Sequence, residues 1–105
     1  MKFKMDFTKD GLFIFFKDWQ LRVLKILWDT DLSMSSSDIH KTIGRNVISK
    51  SSIALFLEEA FDNGLLERNF TTGRGGTRRV YKAKYNENNV TKYFSEIITE
   101  RLSRI

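Results

Sequence analysis

From Lys2 to Phe7 the chain alternates strictly: Phe3, Met5 and Phe7 share one face, and Lys4 and Asp6 the other. A period of two predicts a half-buried strand. Asp10-Gly11 follows as a type I′ turn signal, and Leu12 to Phe16 reads as the returning strand of a β-hairpin. With Asp10-Gly11 as the two-residue loop, Phe7 lies opposite Ile14 and Met5 opposite Phe16, while Phe13 and Phe15 join the face of Lys4 and Asp6. Two aromatics on an otherwise polar face predict a contact surface, with the rest of the domain or with a second subunit.

The period then changes to that of a helix. Asp18 is a good N-cap, after which Trp19, Val23, Leu24, Leu27 and Trp28 recur at helical spacing until Asp29-Thr30-Asp31. Ser36 or Ser37 caps a short second helix carrying Ile39 and Ile43, and Gly44 ends it. Ser49 or Lys50 opens a third helix whose core stripe is Ile53, Phe56, Leu57, Ala60 and Phe61, stopped by Gly64 after Asn63. Leu65 to Phe70 and Arg79 to Tyr85 read as strands with Thr71 to Arg78 as the turn between them. Asn86 to Asn89 breaks the pattern, and Val90, Phe94, Ile97, Ile98, Leu102 and Ile105 form the apolar stripe of a last helix.

The order is hairpin, three helices, hairpin, helix. Three helices followed by a two-stranded wing make a winged helix-turn-helix, so the expected fold class is α+β. Residues 1–17 form the N-terminal β-hairpin extension, 18–85 the winged-helix domain, and 86–105 the C-terminal helix.

Charge sharpens this picture. The net charge is +5, but residues 65–85 alone carry six Lys or Arg against one acid, while residues 31–64 carry three against five. The excess sits in the second hairpin, where a polyanion would be met. At 105 residues the chain supports one core. The absence of cysteine excludes disulfides and thiolate metal sites and fits an intracellular home. No apolar run approaches the ~20 residues that span a bilayer, and charge interrupts the N-terminus too early for a signal peptide. The expectation is a cytoplasmic protein with no membrane partner.

These features suit duplex DNA. A recognition helix must present donors, acceptors or a methyl contact from its first turns, and here those turns carry Lys50, Ser51, Ser52 and, one turn on, Leu55. Glu58, Glu59 and Asp62 occupy the later turns and would be repelled by phosphate, so only the N-terminal half can enter a groove. In the wing, Arg74 lies at a glycine-rich tip suited to a minor groove, and Arg78 and Arg79 return along the strand on opposite faces, so that one of the two meets the backbone.

The segments Trp19 through Val23-Leu24-Lys25-Ile26-Leu27-Trp28, Ile39-His40, Ser49-Lys50-Ser51-Ser52-Ile53 and Gly64-Leu65-Leu66-Glu67-Arg68 together resemble the penicillinase-repressor (BlaI/MecI-type) winged-helix regulators over roughly residues 18–85. The resemblance implies operator contacts by the polar residues opening the third helix, which are Ser51, Ser52 and Leu55 here. It departs in the N-terminal hairpin, in the irregular Gly44-Arg45-Asn46-Val47-Ile48 segment, and in having one helix where that family's dimerisation region has several, so induction by proteolysis does not carry over.

His40 stands alone, without the second histidine, cysteine or paired carboxylates that acid–base or metal chemistry needs, so neither an enzyme nor a cofactor is expected. Trp19 and Trp28 read as core. A terminal helix beyond a finished winged-helix core has few intrachain surfaces left, so Val90, Phe94, Ile97, Ile98, Leu102 and Ile105 are expected at a homodimer interface. The reading is a homodimeric transcriptional regulator, a repressor acting by promoter occlusion. The alternative is a winged-helix protein-interaction module, which the acidic second half of the third helix would suit but which needs no basic wing.

Overall fold

Ser35, Ser49 and Asn86 each precede a helix, and each side chain accepts an N–H of that helix's first turn. A computed structural model describes residues 5, 12, 15–44, 46–73 and 75–103, with the backbone alone at residue 101. The elements run α1 (Asp18–Trp28), α2 (Ser36–Ile43), α3 (Lys50–Asp62), β1 (Leu66–Gly73), β2 (Gly76–Ala83) and α4 (Glu87–Ser103). This is an α+β arrangement of four helices and one two-stranded antiparallel sheet, consistent with a winged helix.

Two caps differ from expectation by one residue. Lys17, not Asp18, is the N-cap of α1, and its N–H donates to Gln20 Oε1 at 2.8 Å. Asp18 becomes the first helical residue and pairs with Arg22 one turn on. In α2 the cap is Ser35 rather than Ser36 or Ser37: its Oγ accepts from the Asp38 N–H, and its own N–H donates to Asp38 Oδ2. That reciprocal capping box satisfies two donors at once. It also holds the Asp38 carboxyl below its usual range, through the Ser35 backbone bond first, with burial opposing and Ser35 Oγ, Arg78 and Lys41 assisting.

The end of α3 follows its sequence signal. Gly64 has φ +81°, its N–H donates to the Phe61 carbonyl, and the Leu65 N–H reaches back to the Ala60 carbonyl. This double bond pattern closes the helix and turns the chain into the sheet.

The N-terminal hairpin finds no support. Most of its residues lie outside the described ones, and at Phe15 and Phe16 the backbone is a turn: both N–H groups donate to the Leu12 carbonyl at 3.1 Å. Phe7, Phe13 and Ile14, used in the expected register, also lie outside the described residues. Phe16 is buried in the core instead of pairing as a strand.

The core gathers Leu21, Val23, Leu24 and Leu27 of α1, Ile39 of α2, Ile53, Phe56, Leu57 and Ala60 of α3, and Leu65, Leu66 and Tyr81 at the root of the sheet. Val90 and Phe94 of α4 complete it. An aromatic cluster joins the parts: Phe16 meets Phe56 and Phe94 edge-on, and Trp19 meets Phe56.

Candidate nucleic-acid interface

Burial of Ile53, Phe56, Leu57 and Ala60 fixes how α3 is rotated and therefore which residues it shows to solvent. The outward row reads Lys50, Ser51, Leu55, Glu59 and Asp62, with Leu55 73% exposed. Cation and hydroxyl lie at the N-terminal end and carboxylates at the other. Ser49 caps the helix by accepting the Ser52 N–H at 3.1 Å and donates its own hydroxyl to Ser52 Oγ at 2.9 Å. Of the two serines expected to read bases, Ser51 is exposed, whereas the half-buried Ser52 is tied into the cap.

The wing is longer than the sequence suggested. Pairing runs from Leu66↔Ala83 out to Gly73↔Gly76, leaving residues 74 and 75 as the connection in place of the expected Thr71–Arg78 turn. Gly75 at φ +88° and Gly76 at φ +112° take backbone conformations that side chains disfavour. Arg74 lies outside the described residues. A feature the sequence did not announce anchors the wing's root: Met34 and Tyr81 exchange two backbone hydrogen bonds at 2.8 Å, tying the α1–α2 connection to β2. One bridging residue leaves no periodicity to detect.

The register separates Arg78 from Arg79. Arg68, Phe70, Arg79 and Tyr81 share one face, and Thr71 and Arg78 the other. Arg79 Nη1 bonds Glu58 Oε1, and Arg68 Nη1 bonds the same carboxylate at 2.8 and 3.1 Å. Arg68 also lies over the Phe61 ring, 4.2 Å from its centroid. Burial raises the Glu58 pKa, but hydrogen bonds from Arg68 and Tyr81 and the charges of Arg68 and Arg79 outweigh it, holding the carboxyl below its usual value. Tyr81 is pushed the other way, by burial first and then by the Glu58 charge.

Between the N-terminal turn of α2, α3 and β2 lies an open cleft of about 270 Å³. Ser35, Ser36 and Ser37 form one wall, Lys50 and Glu58 another, and Arg78 and Arg79 the third. Of the residues singled out in the sequence, Lys50, Arg78 and Arg79 are thus brought together. Ser51 is exposed beside them on α3. Leu55 instead lines a broader groove with Glu59, Asp62, Asn63 and Tyr93. Nothing in the sequence marks the α2 serines as site residues, although Ser35-x-x-Asp38 is a capping pattern that marks where this helix starts.

The residues expected at a subunit interface divide. Val90 and Phe94 are each 2% exposed within the chain's own core, which corrects their placement between subunits: on Phe94 it is Phe15 and Phe16 that pack where a twin was expected. Ile97 and Ile98 are half-buried and Leu102 is exposed, while Ile105 lies outside the described residues.

No protein-family model and no curated protein matches this sequence. Among solved structures, the chain is similar to a possible transcriptional regulator from Methanosarcina mazei Go1, with a TM-score of 0.69 at 18% identity over 85% of this chain and 72% of that one. The two chains share a fold. Among the described residues no helix is long and apolar enough to cross a membrane, and no group of three or more His, Cys, Asp or Glu is placed to hold a metal ion.

Proposed function

We propose that the protein is a transcriptional regulator that binds duplex DNA as a homodimer in the cytoplasm and represses by occluding a promoter. The observation that carries this reading is the cleft where Lys50, Arg78 and the N-terminal turn of α2 converge from three separate elements. Cationic side chains and a helix N-terminus on one concave surface suit backbone phosphates. With phosphate held there, Ser51 and Leu55 reach base edges from the exposed start of α3, Ser52 supports them through the cap, and Arg74 meets the adjacent minor groove or backbone. Glu59 and Asp62 keep the far end of α3 out of the groove. The sequence resemblance to BlaI/MecI-type regulators and the fold shared with a possible regulator both support the reading.

The test is selection from random duplexes, followed by titration of the selected and a scrambled duplex at several salt concentrations. A preferred sequence should emerge, and affinity should fall steeply with salt as condensed counterions are displaced. Absence of binding at low salt ends the DNA reading. The alternative, a protein-interaction module, draws support from the groove that sets exposed Leu55 beside Glu59, Asp62 and Tyr93.

A further inference from the structure

We infer that Glu58 is a positioning residue for the DNA-binding surface: its carboxylate braces Arg79 so that the remaining edge of that guanidinium is offered to a backbone phosphate. The inference rests on the duplex-binding reading above. A carboxylate in a cleft meant for phosphate looks like a liability, since like charges repel across it. Its surroundings argue otherwise. Glu58 projects from the middle of α3, and its side chain is 25% exposed. It meets Arg68 from β1 and Arg79 from β2, two strands of the wing, so one carboxylate links the helix to both.

The two arginines are not equivalent. Arg68 is 27% exposed, doubly bonded to Glu58 through Nη1, and lies over the Phe61 ring, so it is consumed by the structure. The Arg79 side chain is 58% exposed. Its bond to Glu58 uses one Nη of a guanidinium with five N–H donors, and even with Tyr81 as a second neighbour donors remain for an anion. An arginine already fixed at one edge loses less side-chain freedom on meeting phosphate at the other. Among the described residues Arg78 makes no such ion pair and acts on Asp38 through its charge alone. Arg79 is therefore the wing arginine that Glu58 prepares.

The opposing view is that Glu58 merely competes with phosphate for Arg79. The two views differ in sign. Replacing Glu58 by Gln removes a negative charge beside the phosphate path, so competition predicts tighter binding. The bracing role predicts weaker binding to the selected duplex by about fivefold, the scale of one charge-assisted contact discounted for partial exposure. Glu58→Asp keeps the charge but shortens the reach, and should weaken binding similarly. The cycle of Glu58→Gln, Arg79→Gln and the double variant decides whether the effect runs through Arg79: the double should bind no more weakly than Arg79→Gln alone.

Tyr81 reports the brace without DNA, because the Arg79 guanidinium held beside it opposes the rise in its pKa, so its phenol should ionise at higher pH in Arg79→Gln. Equal or tighter binding by Glu58→Gln, additive losses in the cycle, or an unchanged Tyr81 titration overturns the inference. Failure of the wild-type protein to bind any duplex sinks the DNA reading instead, and the Tyr81 titration still reads the brace by itself. Melting temperatures of the variants keep a folding defect from passing as a binding one.

Discussion

The rings of Phe15 and Phe94 stack with centroids 4.1 Å apart and planes 23° from parallel. One residue precedes the first helix and the other lies in the last, so α4 and the segment before α1 pack together on the core. Phe94 also meets Phe16 and Tyr93 edge-on, which makes it the centre of the aromatic cluster. Offset and edge-on aromatic pairs add stability beyond the area they bury. The many phenylalanines of this chain have a structural use here.

Phe94→Ala should cost about 3–5 kcal/mol of unfolding free energy, as other buried phenylalanine truncations do. Phe70→Ala, at a residue 60% exposed, serves as the control and should change stability far less. Denaturant unfolding followed by circular dichroism measures both. Equal costs would mean that α4 is not seated on Phe15 and Phe16.

Acid should destabilise the fold through Glu58 and Asp38, whose carboxyls both lie below their ordinary values. A carboxyl with a depressed folded pKa contributes stability that is fully present above its unfolded value and lost as pH falls through the folded one. Melting temperature should therefore hold steady above about pH 5 and decline below it. In Glu58→Gln that decline should be shallower. An unchanged acid limb would show that the Glu58 pairs contribute nothing to it.

On the homodimer reading, Ile98→Asp with Leu102→Asp should give a folded monomer in sedimentation, because Leu102 is exposed and Ile98, unlike Ile97, is not packed against the chain's own core. Burying those charges between subunits would be strongly unfavourable. A wild-type protein that is already monomeric at high concentration removes the dimer from the proposed mechanism.

On the duplex-binding reading, Arg78→Ala and Arg74→Ala should weaken binding to all sequences alike, each lowering the salt slope by about one unit if it neutralises a phosphate. Ser51→Ala should instead cost ~1–3 kcal/mol of discrimination between selected and scrambled duplexes. Ser51 is the cleaner probe, because the Ser52 hydroxyl belongs to the helix cap. If Ser51→Ala leaves sequence preference intact while Arg78→Ala abolishes it, α3 is not the reader.

Much of the fold was legible because its signals are local. The Ser49 cap and the Asn63-Gly64 stop bound α3 by hydrogen bonds within a few residues, and the stripe Ile53, Phe56, Leu57, Ala60 is buried as its spacing requires. The basic second hairpin, too, was plain from its residues. At the other end, alternation over Lys2 to Phe7 led to a returning strand at Leu12 to Phe16, yet the described backbone at Phe15 and Phe16 turns instead. A short apolar run satisfies a strand and a buried turn equally well, and periodicity cannot choose between them.

Residue pattern alone was enough to bound α1, α2 and α3 to within a residue or two, to show which face of each helix is apolar, and to show that cations concentrate in the second hairpin, whereas α4 starts at Glu87, inside the Asn86–Asn89 stretch that reads as a break. Tertiary structure decided where those faces and charges go. The α4 stripe was visible, but only packing sent Val90 and Phe94 into the chain's own core and left Leu102 exposed. Arg78 and Arg79 are neighbours with the same chemistry, and only strand register placed Arg79 on the face of Glu58 and Arg78 on the other. The difference is one of range: caps and periods arise within one or two turns of backbone, whereas a burial partner or an ion pair is set by elements that meet only after the chain has folded.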